Sequence, residues 1–502
     1  MSSGNDLEVE LHERSHEDDE NDMTDDNVRK SLEFNPDHHQ HNPVDQEQNE
    51  EVAHKKFIWL IGLRPDIKHR NMLVLILDAC ILMSVSIFVS AISHFLLETF
   101  LSVPKSEQSK VVGDLTFYTE LILILFAWMF GVLSDKLGTR KPLIVVGCVV
   151  MSICVGCLPV AKTILVLTLI RIMFGVGASL SFGMLAASIA DYTVTRDRGK
   201  SMAVFGVFVG VGSVLGLFVY LSIPNWLITL FNISDKQSGF ITFSIMACIA
   251  LSMAVANLLL LHRGIRKQTN SDTSIDGRQD DDVEERSFST IFIDGFKCAV
   301  TIPDVLLSYC GMFVGRGDAT IISTFVSLWV SQEMLADGFP ESQGLTRAGI
   351  AAGCAQGFVL IASPFFGFVI DRFDRVLTLA AVSMLAGVGY MSVFFLPKIT
   401  SNWSFLSLAI IGTGECGVFL VSATMGSQAA PKRSRGAIIG LSNVFGNVGV
   451  LFISKVGGYI YSFNPAYPFI MVGFLNLVLT GICVVVKFVS HFRSMQGAVG
   501  QQ

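Results

Sequence analysis

Long apolar runs separated by short polar breaks dominate this chain. They fall at about 72–97, 114–133, 142–161, 163–189, 200–223 and 239–261. After a polar stretch at 262–298 they resume at about 303–331, 347–370, 376–396, 404–428, 437–460 and 467–489. Each run is long enough, at about 1.5 Å per helical residue, to cross a hydrocarbon core of about 30 Å. Unpaired peptide groups are costly in lipid, so the pattern predicts an all-α polytopic membrane protein with six helices on either side of the polar stretch. The first bundle is expected over 71–261, the linker over 262–298 and the second bundle over 299–490. Residues 1–55 are rich in Asp, Glu, Asn and His, the composition of a disordered acidic tail, and 491–502 is expected to be a short second tail.

Basic residues orient the bundle. Lys55, Lys56, Arg64, Lys68 and Arg70 precede the first run, and Lys136, Arg140 and Lys141 lie between the second and third. Arg196, Arg198 and Lys200, then Arg263, Arg266 and Lys267, follow at later breaks of the same parity, as do Arg372, Arg375, Lys432, Arg433 and Arg435. Twelve crossings place all of these on one side, so both termini are expected in the cytosol. The two Asn-x-Ser/Thr sequons begin at Asn232 and Asn402, and both fall on the opposite face as glycosylation candidates. A plasma membrane or a vacuolar or lysosomal membrane fits that arrangement.

Composition agrees with the pattern. Apolar residues make up 51% of the chain, charged residues only 16%, and the mean hydropathy is +0.55, which excludes an ordinary soluble domain. The formal net charge of −7 comes largely from the first fifty residues, so nucleic acid is not an expected partner. Cys154 and Cys157 have redox-type spacing but sit in a lipid-embedded run, where helix packing is the expected role. His38, His39 and His41 belong to the solvated tail. No nucleotide-binding loop or catalytic constellation appears, so neither an enzyme nor a bound cofactor is expected.

The chain repeats itself. A charged turn carrying Gly131, Asp135, Gly138, Arg140 and Lys141 has a shorter echo in Gly367, Asp371 and Arg372, and the leading glycines stand 236 residues apart. Ser86–Ser90 resembles Ser323–Ser327, Gly175 and Gly177 match Gly412 and Gly414, and Arg198-Gly199 matches Arg435-Gly436, each at a shift of 237. A nearly constant shift means two halves of one topology, with a solute site expected near the midplane between them.

Two such halves with G-x-L-x-D-x-x-G-x-R-K after the second helix resemble the major facilitator superfamily. The resemblance covers about 71–490 and extends to Arg171 followed by Gly175-Val176-Gly177-Ala178 in the fourth helix. It departs from the family's antiporter signature: the fifth helix has Gly206, Gly210, Gly212 and Gly216 with no proline among them. The resemblance implies a conformational latch at the cytosolic end, formed by Gly131, Asp135, Gly138, Arg140, Lys141, Asp191, Gly367, Asp371, Arg372 and Arg435. In it Asp135 is expected to meet a helix N-terminus and pair with Arg140, while Asp191 either serves the matching latch of the other half or is a simple helix-end charge. The resemblance also implies that the first, fourth, seventh and tenth helices line a cavity.

Ionisable groups inside the apolar runs cost several kcal/mol unless paired or hydrated. Asp78, Arg171, Arg316, Asp318 and Glu415 are therefore candidates for substrate contact or proton coupling. Arg316 and Asp318 are two residues apart and project about 200° from one another. One is expected to face the pore and the other a neighbouring helix, unless the helix breaks at Gly315 and Gly317. Glu120 divides between cavity and interface, and His94 is expected at an interface. The expectation is a secondary transporter of a small organic solute working by alternating access, with protons as the coupling ion. An uncoupled facilitator and a transporter-like receptor that binds without turnover stay open.

Overall fold

Twelve helices of membrane-spanning length and apolarity account for most of the described residues in the computed structural model. They are α1 (His69–Ala91), α2 (Lys105–Ser134), α3 (Lys141–Val160), α4 (Ile164–Tyr192), α5 (Arg198–Phe231) and α6 (Asp235–Leu260). The second set is α7 (Pro303–Ala336), α8 (Glu341–Arg372), α9 (Arg375–Phe395), α10 (Trp403–Ala429), α11 (Ile438–Tyr461) and α12 (Tyr467–Ser490). The structure describes residues 56–57, 61–194, 197–262, 296–429 and 435–499. The acidic tail expected over 1–55, almost all of the 262–298 linker, and the side chains of Asp135 and Arg435 lie outside the described residues.

Local chemistry sets the helix starts. Thr163 caps α4 by accepting from Val166 N, and Ser234 and Gln237 form a reciprocal capping box at α6. Pro303 opens α7, where its missing N–H costs nothing. Two boundaries differ from expectation. The first apolar run is broken by a turn at Ile92 into α1 and a short helix, Ser93–Thr99. At the other end the last helix continues to Val499, so 491–499 prolongs α12 instead of forming a separate tail.

Helix pairing repeats from half to half. In the first half α1 packs on α5, α2 on α4, and α3 on α4 and α6. In the second half α7 packs on α11, α8 on α10, and α9 on α10 and α12. The small residues found by the 237-residue shift make these contacts. A Cβ on Gly175 would stand 2.9 Å from Thr119 O, and one on its counterpart Gly412 would stand 2.3 Å from Ala355 O. Gly212 and Gly449 are a further pair at that shift, pressed against Cys80 O and Phe313 O. The glycine row of α5 thus serves close approach of backbones, the usual device for packing helices in lipid. Gly449→Ala would place a carbon 1.9 Å from Phe313 O and forces α7 and α11 apart. The expected cost is about 1–3 kcal/mol. Thermal melts in detergent should show a lower midpoint for Gly449→Ala and none for Gly357→Ala, whose Cβ meets nothing within 4 Å.

The halves meet along two seams, α2 with α11 and α5 with α8. The tight contacts lie toward the end opposite the basic loops. There Gly113 approaches Ser454 O and Gly458, and Gly349 and Gly353 approach Leu217 and Phe218. Polar links reinforce this outer end. Lys455 pairs with Asp114 at 2.5 Å, Thr99 Oγ1 donates to Glu341 Oε2 at 2.7 Å, and Gln332 Nε2 donates to Gln108 Oε1 at 3.2 Å. Toward the basic end, would-be Cβ atoms on Gly131, Gly206, Gly367 and Gly440 meet nothing within 4 Å. The seam is therefore fastened at the outer end, while these four positions toward the basic end are free of close neighbours.

At the basic end a short antiparallel hairpin, β1 (Lys56–Phe57) and β2 (Ile61–Gly62), precedes α1. It continues the pairing to the α4–α5 loop: Val194 N donates to Gly62 O, Arg64 N to Tyr192 O, and Gly62 N to Asp197 Oδ2 at 2.8 Å. Ile61, Leu63 and Ile67 are fully buried beneath it.

Candidate functional site

The first cluster spans the two halves. Arg171 on α4 is 1% exposed, and its Nε and Nη1 have no hydrogen-bond partner. Its guanidinium lies 5.9 Å from the Phe174 ring, a weak cation–π support. Arg316 reaches from α7 along α11, where Asn447 Oδ1 accepts from its Nη1. Gly446 makes room for it, since a Cβ there would stand 2.5 Å from Arg316 Cδ. Glu120 on α2 is in electrostatic reach of both guanidiniums. Among the described residues no ion pair joins it to either.

The second cluster lies inside the second half. Both carboxylate oxygens of Asp318 accept from Asn476 Nδ2 of α12, at 3.3 and 3.2 Å, and Tyr390 OH of α9 donates to the Asp318 carbonyl at 3.3 Å. Glu415 on α10 interacts electrostatically with Asp318 and has Gln356 of α8 beside it, with Oε2 left unpartnered. Arg316 and Asp318 thus point to different neighbours, α11 and α12, as their angular separation requires. The helix is not broken at Gly315 or Gly317. It stays α-helical through Thr320 and widens to a π-turn at Ile321–Val326. The two glycines admit Phe419 of α10 and Ile453 of α11.

Asp78 stands apart from both clusters. It is fully buried in the first half, with Cys148 of α3 and Asn257 of α6 beside it. Asn257 Nδ2 donates to Met253 O at 2.9 Å, and both Asp78 oxygens lack a donor. The charges on the first and seventh helices do not share one direction: α1 turns Asp78 toward α3 and α6, and α7 turns Asp318 toward α9 and α12, the neighbouring-helix side expected for one of the Arg316–Asp318 pair. A helical residue's depth is readable from its position in a run, but its azimuth depends on neighbours. His94 is buried, with Nε2 unpartnered, on the short helix after α1.

Sequence reasoning missed Asn257, Gln356, Tyr390, Asn447 and Asn476. The signal was present, because amides are uncommon inside apolar runs and report a buried partner. A further regularity was hidden: Asp78 stands beside Asn257 on the first and last helices of one half, and Asp318 accepts from Asn476 on the first and last helices of the other.

At the basic end the latch residues separate. Gly138 has φ +63, a left-handed position that ends the α2 helix and favours glycine. Arg140 Nε pairs with Asp191 Oδ2 at 2.8 Å, so Asp191 ties the end of α4 to the α2–α3 turn of the same half. Lys141 Nζ donates to Leu261 O at 2.8 Å and ties α3 to the end of α6. In the second half Asp371 and Arg372 are exposed, with Arg372 over the Phe368 ring at 4.9 Å. Asp374 does the joining there: it caps α9 through Leu377 N and meets Lys487 of α12 at 2.6 Å. Partial burial pushes the Asp374 carboxyl up, and the Lys487 and backbone hydrogen bonds outweigh it, holding the group below its ordinary value. Asn232, left-handed at φ 52, and Asn402 both lie in loops at the outer end.

This architecture and these motifs have counterparts. The family model described as Major Facilitator Superfamily matches residues 74–454 and 309–496. The chain belongs to the Major Facilitator Superfamily, and twelve helices among its described residues are long and apolar enough to cross a membrane. It is 26% identical over 418 residues to the magnetosome protein MamZ of Paramagnetospirillum magneticum, covering 80% of this chain and 61% of that protein. The chain therefore spans about six-tenths of that relative's length. Multidrug resistance protein 2 of Bacillus subtilis is 22% identical over 365 residues, 70% of this chain and 80% of that one. Among solved structures, a D-xylose-proton symporter superposes with a TM-score of 0.62 at 15% identity, covering 82% of this chain and 96% of that one.

Proposed function

We propose that this protein is a secondary active transporter that carries a small organic solute by alternating access, with protons as the coupling ion and both termini in the cytosol. The observation that carries the reading is the pairing of a fastened outer seam with Arg171, Glu120 and Arg316 placed across the two halves. Cargo held by both halves would feel them rock, which is how binding can bias a two-state equilibrium. Arg171 and Arg316 are the substrate-contact residues in this reading. Asp78, Asp318 and Glu415 are the candidates for carrying the proton, with Asp318 and Glu415 favoured because they share one site. The latch at the basic end, Gly131, Asp135, Gly138, Arg140, Lys141 and their second-half counterparts, would close when the outer seam opens. Glycosylation at Asn232 or Asn402 would mark the outer face.

The test is uptake by vesicles containing the purified chain, read against a metabolite panel at two lumenal pH values. Accumulation that follows the pH gradient is expected. Uptake indifferent to the gradient would replace this reading with a facilitator, and binding without flux would replace it with a receptor.

A further inference from the structure

The central cluster carries an imbalance of charge. Arg171 and Arg316, one from each half, both lie within electrostatic reach of the Glu120 carboxyl, and among the described residues Glu120 makes an ion pair with neither. The other buried acids are committed elsewhere: Asp318 to Asn476 and Glu415, Asp78 to the α3–α6 side of its own half. Arg171 is the sharper case, since it is 1% exposed and two of its donor nitrogens find no acceptor. A buried guanidinium with unmet donors is costly, and its planar fork suits a two-oxygen acceptor. Arg316 is already oriented by Asn447 and by the lane at Gly446.

We propose that the cargo is a small organic oxyanion, a carboxylate or phosphate ester, bound between Arg171 of one half and Arg316 of the other, with Glu120 as the resident counter-charge that the cargo's anionic group displaces. The inference rests on the transport reading and names its substrate class. The oxyanion fills the unmet donors of Arg171 and engages Arg316, so its binding draws together two helices that belong to separate halves. Glu120 repels the cargo while it is ionised and offsets the mutual repulsion of the two arginines when the site is empty of cargo. Removing its charge is therefore expected to strengthen binding, whereas removing either arginine's charge weakens it. These opposite signs separate a binding site from a merely structural charge cluster, in which all three changes would act alike.

The experiment uses the purified full-length chain in detergent, with ligand-dependent thermal stabilisation as the readout. The probes are benzoate, succinate and glycerol 3-phosphate, with glucose as a neutral and choline as a cationic comparison. At least one of the three oxyanions should stabilise the protein, and neither glucose nor choline should. Arg316→Gln and Arg171→Gln are each expected to weaken that oxyanion's binding about ten- to a hundredfold. Glu120→Gln is expected to tighten it about tenfold. Should Arg171→Gln fail to fold, Arg316→Gln and Glu120→Gln still carry the test. The proposal is overturned if none of the three oxyanions stabilises the chain, or if the affinity is indifferent to both Arg316→Gln and Glu120→Gln. Flux of glucose or choline without oxyanion binding sinks this inference alone. Oxyanion binding with the expected arginine dependence but no flux in vesicles sinks the transport reading and leaves the site standing.

Discussion

Gly458→Trp is expected to abolish solute flux, by about a hundredfold or more, while leaving the protein folded and in the membrane. The position lies where α11 meets α2 at the fastened outer end. A Cβ there would stand 2.7 Å from Ser109 O and 3.1 Å from Gly113 Cα, so even one carbon is too much and an indole forbids the contact altogether. In the alternating-access reading the two halves have another arrangement open to them, however. Each is a bundle with its own buried side chains, and Gly458 touches the other half's α2, so the wedge opens the seam and leaves the second bundle's core unchanged. A cycle needs both arrangements in turn, and a wedge that removes one stops it at any cargo concentration. A factor of a hundred corresponds to about 2.8 kcal/mol, within reach of the cost of overpacking a tight backbone contact. Vesicle uptake and detergent melts on the same preparation check this. Uptake at the unmodified rate in a well-folded Gly458→Trp would show that the outer seam does not move during transport. Lys455→Ala breaks only the half-exposed pair with Asp114, and a much smaller effect is expected from it, because exposed ion pairs contribute little.

Much of this arrangement was legible in the sequence, and the reason is the solvent. A bilayer tolerates few backbone solutions, so run length and apolarity suffice to read twelve helices from the chain. The 237-residue shift then separated two halves, and the structure shows what it preserves: Gly175 and Gly412, or Gly212 and Gly449, are kept small because a backbone presses on each. Rotation about the helix axis was not legible. Position alone put Asp78 on a cavity helix, yet the carboxyl turns into the first half toward Asn257. In water an apolar stripe would show which face is inward. In lipid both faces are apolar, and the azimuth is set by packing partners that the sequence does not name. The same limit explains Glu120, divided between cavity and interface by sequence and set within electrostatic reach of two arginines by the fold. It explains the latch as well, since Asp191 comes to Arg140 from the far end of α4.

Asp318→Asn is expected to uncouple transport from the proton gradient. The substitution keeps size and hydrogen-bonding shape, so the amide can still meet Asn476, and only the exchangeable charge is lost. Asp318 and Glu415 share a dry site in which, among the described residues, the interacting groups are Asn476, Gln356, Tyr390 and each other, with no Arg or Lys among them. Two carboxyl groups so placed are suited to take up one proton and give it back when the surroundings change. The change is at hand: Asp318 lies two residues from Arg316 on one helix, and the π-turn at Ile321–Val326 follows immediately. Cargo drawn to Arg316 and a proton held at Asp318 would thus act on the same turn of α7, where a wide helical turn can shift its register at low cost. Coupling between two sites of that kind is reciprocal and typically amounts to about 1–3 kcal/mol, or about five- to 150-fold. In vesicles, Asp318→Asn should therefore lose gradient-driven accumulation by about tenfold or more and retain exchange of labelled for unlabelled cargo, which needs no net proton movement. Glu415→Gln should act in the same direction, and the double variant should add little, because the two groups handle one proton together. Accumulation that survives in the double variant and still follows the pH gradient would move the coupling site away from this pair, and Asp78, buried with both oxygens unmet, would be the next group to change.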